Sequence, residues 1–573
     1  MTVSTRTLTA SLVVGSTSYP LALTTGTVDM DESISPFVGG DITVAHPGLT
    51  VFALIVPGNK VRINSTTRGT TLTATLTIQA RQLVAESGEV GINLVNDEAR
   101  VQDYSPATVV NYNSSQGSLR TIVNAVLTRA MGATTTAAYA SGADVAVPTT
   151  TELDNLIPGG NFEVATGLWT GNNAALALVT GWSQFGSYSL KITPANTSNQ
   201  SWATVVVPVS QGGTYTLSAY VRVQGLQSGT LNSAARQFQA VATFQDGSAV
   251  SSQIIGRSAQ APNTGFTTTR VTMSFTVPEN ATSVSVRLVN GGSNSADNAI
   301  YVDGVMLTEG NGKDTDGTQL DYFDGSTAAT SLYAYSWSED AHLSTSTRTP
   351  VIDRDPDTLT WSPGTGGIEF LQPIVQSVGC RLIQDINGAW KLADNDYAVA
   401  GEVRASYGFN LIRATDLISK TATQTDGLPL YADAVILRYE WTDATGKERS
   451  KSDVAAPAGY TKPYVRDVIQ APFPGGGRAA YMLSRLSQRR RQMQVVRTTD
   501  YSARPGMDAV ISTPDGGTQL GYVDAVRWDL TNDEMEVVTK GLVTTPPSAW
   551  FNLAPGVAWS ASPVGGSWAA ETV

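Results

Sequence analysis

Cysteine and histidine are almost absent from this sequence. It has one cysteine, Cys380, and two histidines, His46 and His342, in 573 residues. This scarcity excludes a disulfide framework, Cys/His zinc sites and most haem or copper sites. A Ser-His-Asp triad would have to use His46 or His342, and no G-x-S-x-G elbow is present. The sequence therefore gives little support to catalysis, and Cys380, between an apolar helix and an apolar strand, is interpreted as a core residue.

Long apolar runs and an excess of basic charge are also missing. The longest strongly apolar run, VFALIV at 51–56, is too short to cross a bilayer and predicts a buried strand. The first fifteen residues lack the features of a secretion signal, so we expect no membrane anchor and assembly in the cytoplasm where the protein is made. The net charge of −12 repels phosphate backbones, so we expect no specific nucleic-acid binding.

Short strands and turn residues dominate what is present. Only 15% of residues are charged, and 53 glycines and 26 prolines punctuate runs of alternating apolar and polar residues. This composition predicts a mainly β protein, and the length predicts three to five domains at about 150 residues each.

The spacing of these runs divides the chain. Apolar residues at helical spacing predict a helix at 118–131 that Gly132 ends. Further helices are predicted at 368–378 and 478–493, and Asn387-Gly388 and Asn532-Asp533 are predicted hairpin turns. The predicted segments are an N-terminal β domain with a closing helix (1–132), a linker (133–154), a regular β module (155–310), a connector (311–350), an α+β domain (351–500) and a C-terminal β domain with a tail (501–573).

The module contains segments in a recognisable order. NLIPGGNFE at 155–163 is followed by GSYSLKI, SAYVRV and finally YVDGVMLTEG. In order and spacing these segments resemble a carbohydrate-binding module of the galactose-binding jelly-roll type. The sequence departs from that family at Gly159-Gly160, where the family has Asn-Gly, and at Gly304, where it has a second Asp.

The resemblance implies two sites. A structural calcium would be held by Glu163 and Asp303 with loop carbonyls, although both acids could instead accept hydrogen bonds from backbone amides. Sugar rings would stack on exposed aromatic side chains, although a sandwich also needs aromatic residues in its core. The candidates for sugar binding are Trp169, Trp182, Tyr188 and Trp202.

The segments that flank the module carry a second resemblance. YFDGST, WSPGTGGIEFLQPIVQSVGCRLIQDINGAWKL and GYVDAVRWDLTNDEMEVVTKGL resemble minor tail proteins and tail hub proteins of long-tailed actinobacteriophages. The resemblance implies β-barrel or sandwich hub domains with a few helices, interrupted by the jelly-roll module between about 133 and 350. It also implies a homotrimer at the virion tail tip, with a distal tail ring protein and the tape measure as neighbours.

The predicted helix at 478–493 carries a cationic cluster, Arg485, Arg489, Arg490 and Arg491. Like charges this close need anions or water. A solvated face is the simplest interpretation, and an acidic neighbouring subunit or DNA in the lumen of a ring are the alternatives.

Three functions fit these features. The first is a structural protein of the tail tip or baseplate hub whose module contacts host cell-surface glycans. The second is a tail enzyme that degrades cell-wall polysaccharide, because any two of the 49 acidic residues could form a hydrolytic pair. The third, a bacterial surface or secreted glycan-binding protein, is disfavoured because no export signal is recognised.

Overall fold

Two compact units make up the chain in a computed structural model. One unit combines Met1–Val147 with Asp357–Val573, and the other is Pro148–Pro356. The structure describes residues 6–84, 86–132, 144–195, 201–223, 236–246, 248–261, 267–290, 299–394, 398–418, 429, 431–443, 446–514 and 517–545. Most of the predicted linker, 133–143, and the predicted C-terminal tail, 546–573, lie outside these residues.

The N-terminal part of the first unit is a run of strands followed by a helix. Its elements are β1 (Thr7–Val14), β2 (Thr17–Leu21), β3 (Leu23–Asp31), β4 (Val38–Ala45), α1 (Leu49–Leu54), β5 (Lys60–Thr67), β6 (Thr70–Val84), β7 (Glu89–Val95), α2 (Glu98–Asp103), β8 (Val110–Asn111) and α3 (Leu119–Met131). The prediction of α3 is confirmed. Ser118 caps it by accepting a hydrogen bond from the Thr121 amide at 3.0 Å, and Gly132 ends it in the left-handed conformation.

The second unit is a β-sandwich. Its strands are β9 (Leu153–Asn155), β10 (Thr170–Asn172), β11 (Ala174–Val179), β12 (Ser189–Pro194), β13 (Ser201–Val207), β14 (Thr214–Val223), β15 (Gln237–Asp246), β16 (Ala249–Arg257), β17 (Thr268–Thr276), β18 (Ser283–Asn290), β19 (Ile300–Glu309), β20 (Tyr333–Trp337) and β21 (Ser346–Pro350). Two five-stranded sheets, β10-β13-β18-β15-β16 (sheet I) and β11-β12-β19-β14-β17 (sheet II), enclose one apolar core. The described residues of this unit contain no α-helix, as predicted.

The chain then returns to the first unit. The remaining elements are β22 (Thr360–Trp361), α4 (Gly367–Ser377), β23 (Arg381–Gln384), β24 (Trp390–Ala393), β25 (Glu402–Ser406), β26 (Leu411–Ile418), β27 (Ala434–Thr442), β28 (Glu448–Ala455), β29 (Pro463–Ile469), α5 (Arg478–Ser487), β30 (Arg491–Thr498), β31 (Asp508–Ser512), β32 (Thr518–Asp529) and β33 (Glu534–Thr545). Together with the elements described above, they confirm that the fold is mainly β and multidomain.

A 13-stranded sheet unites both ends of the chain in the first unit. Its main path is β2-β1-β5-β6-β7-β4-β3-β32-β33-β30-β26, and β31 and β25 extend it from β32. The pairing of β3 with β32 sets Val28 opposite Trp528, and both side chains are fully buried in the same core. The segments predicted as separate domains at 1–132, 351–500 and 501–573 therefore contribute to one compact unit, because their strands share this sheet.

Two local predictions are wrong. VFALIV forms most of α1, where the Phe52 amide donates to the Gly48 carbonyl, because a short apolar run has no periodicity that separates strand from helix. The helix predicted at 478–493 ends at Ser487, and Arg491 already begins β30. The arginine cluster is thus split between the end of a helix and the start of a strand.

The predicted connector at 311–350 forms part of the sandwich unit. Within it, β21 pairs with both β20 and β9. Leu320, Tyr322 and Phe323 are buried against Met306, whose side chain projects from the outward side of sheet II. We call residues 311–350 the arm. Its aromatic residues are needed to cover this sheet, which explains their number in an otherwise polar segment.

No helix in the described part of the chain has the length and apolar character needed to span a bilayer.

We predict that the fragment 148–356 unfolds in a single cooperative thermal transition, because it has its own core and its first and last strands are paired. The shorter fragment 152–310 should melt at a lower temperature, because it exposes the face that Leu320, Tyr322 and Phe323 cover. Each such side chain contributes about 1.5–3 kcal/mol when buried. Equal melting temperatures, measured by calorimetry, would contradict the role given to the arm.

Candidate functional site

Only one of the two outward sheet faces of the sandwich is free of the arm. The arm packs on sheet II and not on the outward face of sheet I, which we call the open face. Val206 of β13 is exposed on this face, whereas Val241 and Val289 on the neighbouring strands are buried. Along β13, Ala203, Val205 and Val207 point into the core. By strand alternation, Trp202 and its neighbours two and four residues later point outward onto the open face.

An aromatic ring and a cation meet on the open face. Antiparallel pairing of β13 with β18 sets Thr204 opposite Arg287, one step along the face from Trp202. The guanidinium carbon of Arg287 lies 5.3 Å from the centre of the half-buried Trp202 ring, a cation–π distance. Burial lowers the pKa of Arg287, and its buried Nε has no hydrogen-bond partner in the described part of the protein. The open face therefore combines a guanidinium group with a flat apolar ring.

Two amide side chains continue the face on the next strand. Phe238 and Ala240 of β15 point into the core, so Gln237 and Gln239 point outward, where both side chains are largely buried, at 7% and 5% exposure. Gln239 pairs with Arg287 across the strands, and Gln237 pairs with Val289, the same residue that faces Trp202. A sugar needs such a combination, because its apolar ring face stacks on an aromatic surface while its hydroxyls bond to amides and guanidinium groups.

The four predicted aromatic residues do not form one surface. Trp169 is 4% exposed and packs in the core at 5.9 Å from Phe162, so its ring is not available for stacking on a ligand. Trp182 and Tyr188 lie in the loop between β11 and β12, where Trp182 meets Tyr301 of sheet II edge to face. Trp202 is the one of the four on the open face. The positions of these aromatic residues in the sequence do not distinguish core residues from surface residues, so the structure is needed to separate them.

The two acids predicted to hold calcium anchor the same loop. Glu163 Oε1 accepts hydrogen bonds from the backbone amides of Ser187 and Tyr188 at 2.8 and 2.9 Å. Asp303 Oδ2 accepts from the amides of Gln184 and Phe185 at 2.6 and 2.8 Å. The loop at 184–188 therefore closes over both carboxyl groups.

The charge of these carboxyl groups is not balanced by a nearby side chain. Burial, opposed by the backbone hydrogen bonds and reinforced by the Glu163 charge, raises the pKa of Asp303 to about 7. Neither acid forms an ion pair with a described residue. Two carboxyl groups without a cationic partner fit a hard cation, which Glu163, Asp303 and loop carbonyls would hold. No group of three or more acidic, histidine or cysteine side chains that could hold a metal ion occurs among the described residues, so carbonyls would have to supply the other ligands.

The residues considered for catalysis have other contacts. His342 Nδ1 lies 2.7 Å from the amide of Asn161, which also donates to Asp324, and the imidazole packs on Trp337. Asp324 accepts from Ser326 and Thr327 rather than from the histidine. Burial raises the pKa of the Cys380 thiol to about 12, which keeps it protonated and unreactive.

Residues 154–296 match the family model described as a carbohydrate binding domain. No curated protein matches the sequence.

Among solved structures, the chain is similar to the family 22 module and catalytic module of a Clostridium thermocellum xylanase, in complex with xylohexaose. The identity is 15% and the TM-score 0.22, and the match covers 31% of this chain and 30% of that one. It is also similar to a tail protein of Neisseria meningitidis, with 9% identity, a TM-score of 0.37 and coverage of 93% and 96%. A 43 kDa prophage tail protein of Shewanella oneidensis matches with 8% identity, a TM-score of 0.36 and coverage of 93% and 98%. Carbohydrate-binding modules and tail proteins, the two groups that the sequence resembles, are thus both among its similar proteins.

Three polar residues of the open face, Gln237, Gln239 and Arg287, are not among the residues predicted from the sequence. A signal for the first two was present, because RQFQAVATF places both glutamines opposite the inward Phe238 and Ala240. Arg287 could not be found this way, because only the register of β13 and β18 brings it to Trp202.

Calcium should stabilise the fragment 148–356 if Glu163 and Asp303 hold it. At a concentration about a hundredfold above its Kd, it would add about 2.7 kcal/mol to the free energy of unfolding. The melting temperature should then rise with calcium and fall with chelator, and Glu163→Gln should abolish the difference. The same melting temperature in calcium and in chelator would leave both carboxyl groups with the purely hydrogen-bonding role described above.

Proposed function

We propose that this protein is a structural component of a phage tail that binds host cell-surface glycans through the open face. The observation that carries the glycan-binding part is the coincidence of the carbohydrate-binding family match with a sandwich whose open face carries Trp202, Arg287 and two amides. We propose no catalytic activity, because a binding face of this kind acts by stacking and hydrogen bonding alone.

Binding would use the face in two ways. The apolar side of a sugar ring would cover the Trp202 indole and remove both surfaces from water. A hydroxyl oxygen would accept a hydrogen bond from the Arg287 guanidinium group, which lies beside the indole.

Trp202→Ala should weaken the binding of the full chain to host cell-wall polysaccharide by about tenfold or more, as expected for a central aromatic contact. Cosedimentation with cell-wall fractions measures this. Trp182→Ala is the matched control, because it removes a tryptophan of the same unit that contacts sheet II. Equal loss in both variants would contradict the assignment of the open face.

The same fractions test the enzymatic alternative. Release of reducing ends by the purified protein would support a polysaccharide-degrading tail enzyme and contradict the purely adhesive role. Binding without release is the result that we expect.

The tail role rests on the flanking segments. Residues that resemble tail hub proteins lie on both sides of the sandwich in sequence, and the structure joins them in one sheet. We propose a location at the tail tip or baseplate hub, assembly in the host cytoplasm, and contacts with a distal tail ring protein and the tape measure. Placed there, the module would reach the host surface during adsorption.

We predict a homotrimer, because the hub-like flanks resemble proteins that form threefold rings and closed symmetry satisfies every interface. Light scattering of the isolated protein should give three times the chain mass of 60.3 kDa. A monomer in solution together with a single labelled copy per tail would contradict this prediction.

A further inference from the structure

A cavity lies in the unit formed by the two ends of the chain, and glycan binding does not involve it. Its volume is about 160 Å³. Apolar residues of α4 and α5, among them Leu371, Val375 and Met482, form part of its lining, which we call the apolar wall. The charged wall consists of Glu32 and three arginines, Arg381, Arg489 and Arg485, the last of which also belongs to α5.

Ion pairs hold this charged wall together. Glu32 accepts from Arg381 at 2.6 Å and from Arg485 at 3.2 Å, and it also contacts Lys540. These cations keep the pKa of Glu32 below its usual range, against the effect of burial. Asp524 binds Arg489 through two contacts of 3.0 Å and lies 3.4 Å from Lys540.

The cations of this wall outnumber the carboxylates. Four cations share Glu32 and Asp524, and the excess persists when the adjacent Asp31, whose carboxyl pKa is raised by burial, is counted as ionised. Cations that are desolvated without a full set of anions favour the entry of another anion. The cavity therefore prefers a negatively charged ligand.

Donors for such a ligand are still available. The hydrogen bonds of Arg485 within the described structure all use Nη2, which leaves its Nε and Nη1. Arg381 binds Glu32 through Nη2, and its buried Nη1 has no partner among the described residues. A guanidinium group in this state offers N–H donors in the geometry that suits a carboxylate.

We propose that this cavity binds one carboxylate group on a short apolar stem, with Arg485 as its main contact. The volume is smaller than that of pockets for drug-sized ligands, about 300–1,000 Å³, and corresponds to a few water molecules of about 30 Å³ each. The apolar wall receives the stem, and the arginines receive the charge. A free small carboxylic acid and a glutamate side chain of a second copy both have this chemistry.

Calorimetric titration of the full chain with butyrate tests the site, with butanol and butylammonium as ligands of similar shape without the negative charge. We expect millimolar binding of butyrate and none of the other two. Arg485→Gln should weaken butyrate binding by about tenfold, the effect of losing a hydrogen bond to a charged group. Glu32 remains ion-paired with Arg381 and Lys540 in this variant. Arg404→Gln, which removes an exposed arginine paired with Glu402, is the matched control and should bind normally.

A second variant tests whether the ligand occupies the cavity, without changing the charged residues. Gln372 is an exposed residue of α4 at the cavity, so Gln372→Trp should obstruct it without altering the ion pairs. Loss of butyrate binding in this variant supports the site. Equal binding of butanol, or butyrate binding that survives both Arg485→Gln and Gln372→Trp, would overturn the proposal.

Sedimentation velocity then distinguishes the two sources of the carboxylate. If butyrate and Arg485→Gln both weaken self-association, the ligand is a glutamate side chain of a second copy. If self-association is unchanged while butyrate still binds through Arg485, the ligand is a free carboxylic acid.

Discussion

The arrangement of this chain depends on the antiparallel pairing of β3 with β32. That pairing puts strands from near the two ends of the sequence side by side and gives them one core around Val28 and Trp528. Between these strands, residues 148–356 leave the unit and the chain then returns to it, which makes this segment an insertion. The first and last strands of the inserted unit, β9 and β21, are paired, so the chain enters and leaves this unit at neighbouring positions. Once both ends are fixed, the entropic cost of closing a longer loop grows only slowly with its length.

Much of the fold could be predicted from local patterns, and the errors have a common cause. The helix α3 was predictable because its cap, periodicity and stop signal all lie within fifteen residues. The hairpin of β23 and β24 was predictable from Asn387-Gly388, although the observed loop runs from Asp385 to Ala389. The arm was not, since its aromatic residues have a core only when sheet II is beside them. Where burial depends on distant strands, sequence periodicity carries no signal.

The candidate binding face shows the same limit for function. Trp169 and Trp202 are both tryptophans of the module, yet Trp169 packs in the core between the sheets and Trp202 lies on the open face. Chemical type identified both as candidates, but strand alternation and register decide between them. Register also adds Arg287, which comes from a strand far along the chain. The proposed site combines one flat ring with three polar groups, the kinds of group that sugar recognition requires.

The negative net charge of the chain hides a locally positive region among the described residues. A chain with a charge of −12 holds four cations around two carboxylates beside one cavity. The sequence pattern predicts four neighbouring arginines, Arg485, Arg489, Arg490 and Arg491, on a single helix, where a solvated face is the simplest interpretation. Because α5 ends at Ser487, they diverge instead: Arg489 binds the buried Asp524, and Arg491 binds Asp416 at the edge of the sheet. Removing one partner of a buried pair such as Arg489 and Asp524 costs about 3–5 kcal/mol. This part of the cluster is therefore a structural contact, and the capacity to bind a further anion belongs to Arg485 and Arg381, whose donors are not all used within the described structure.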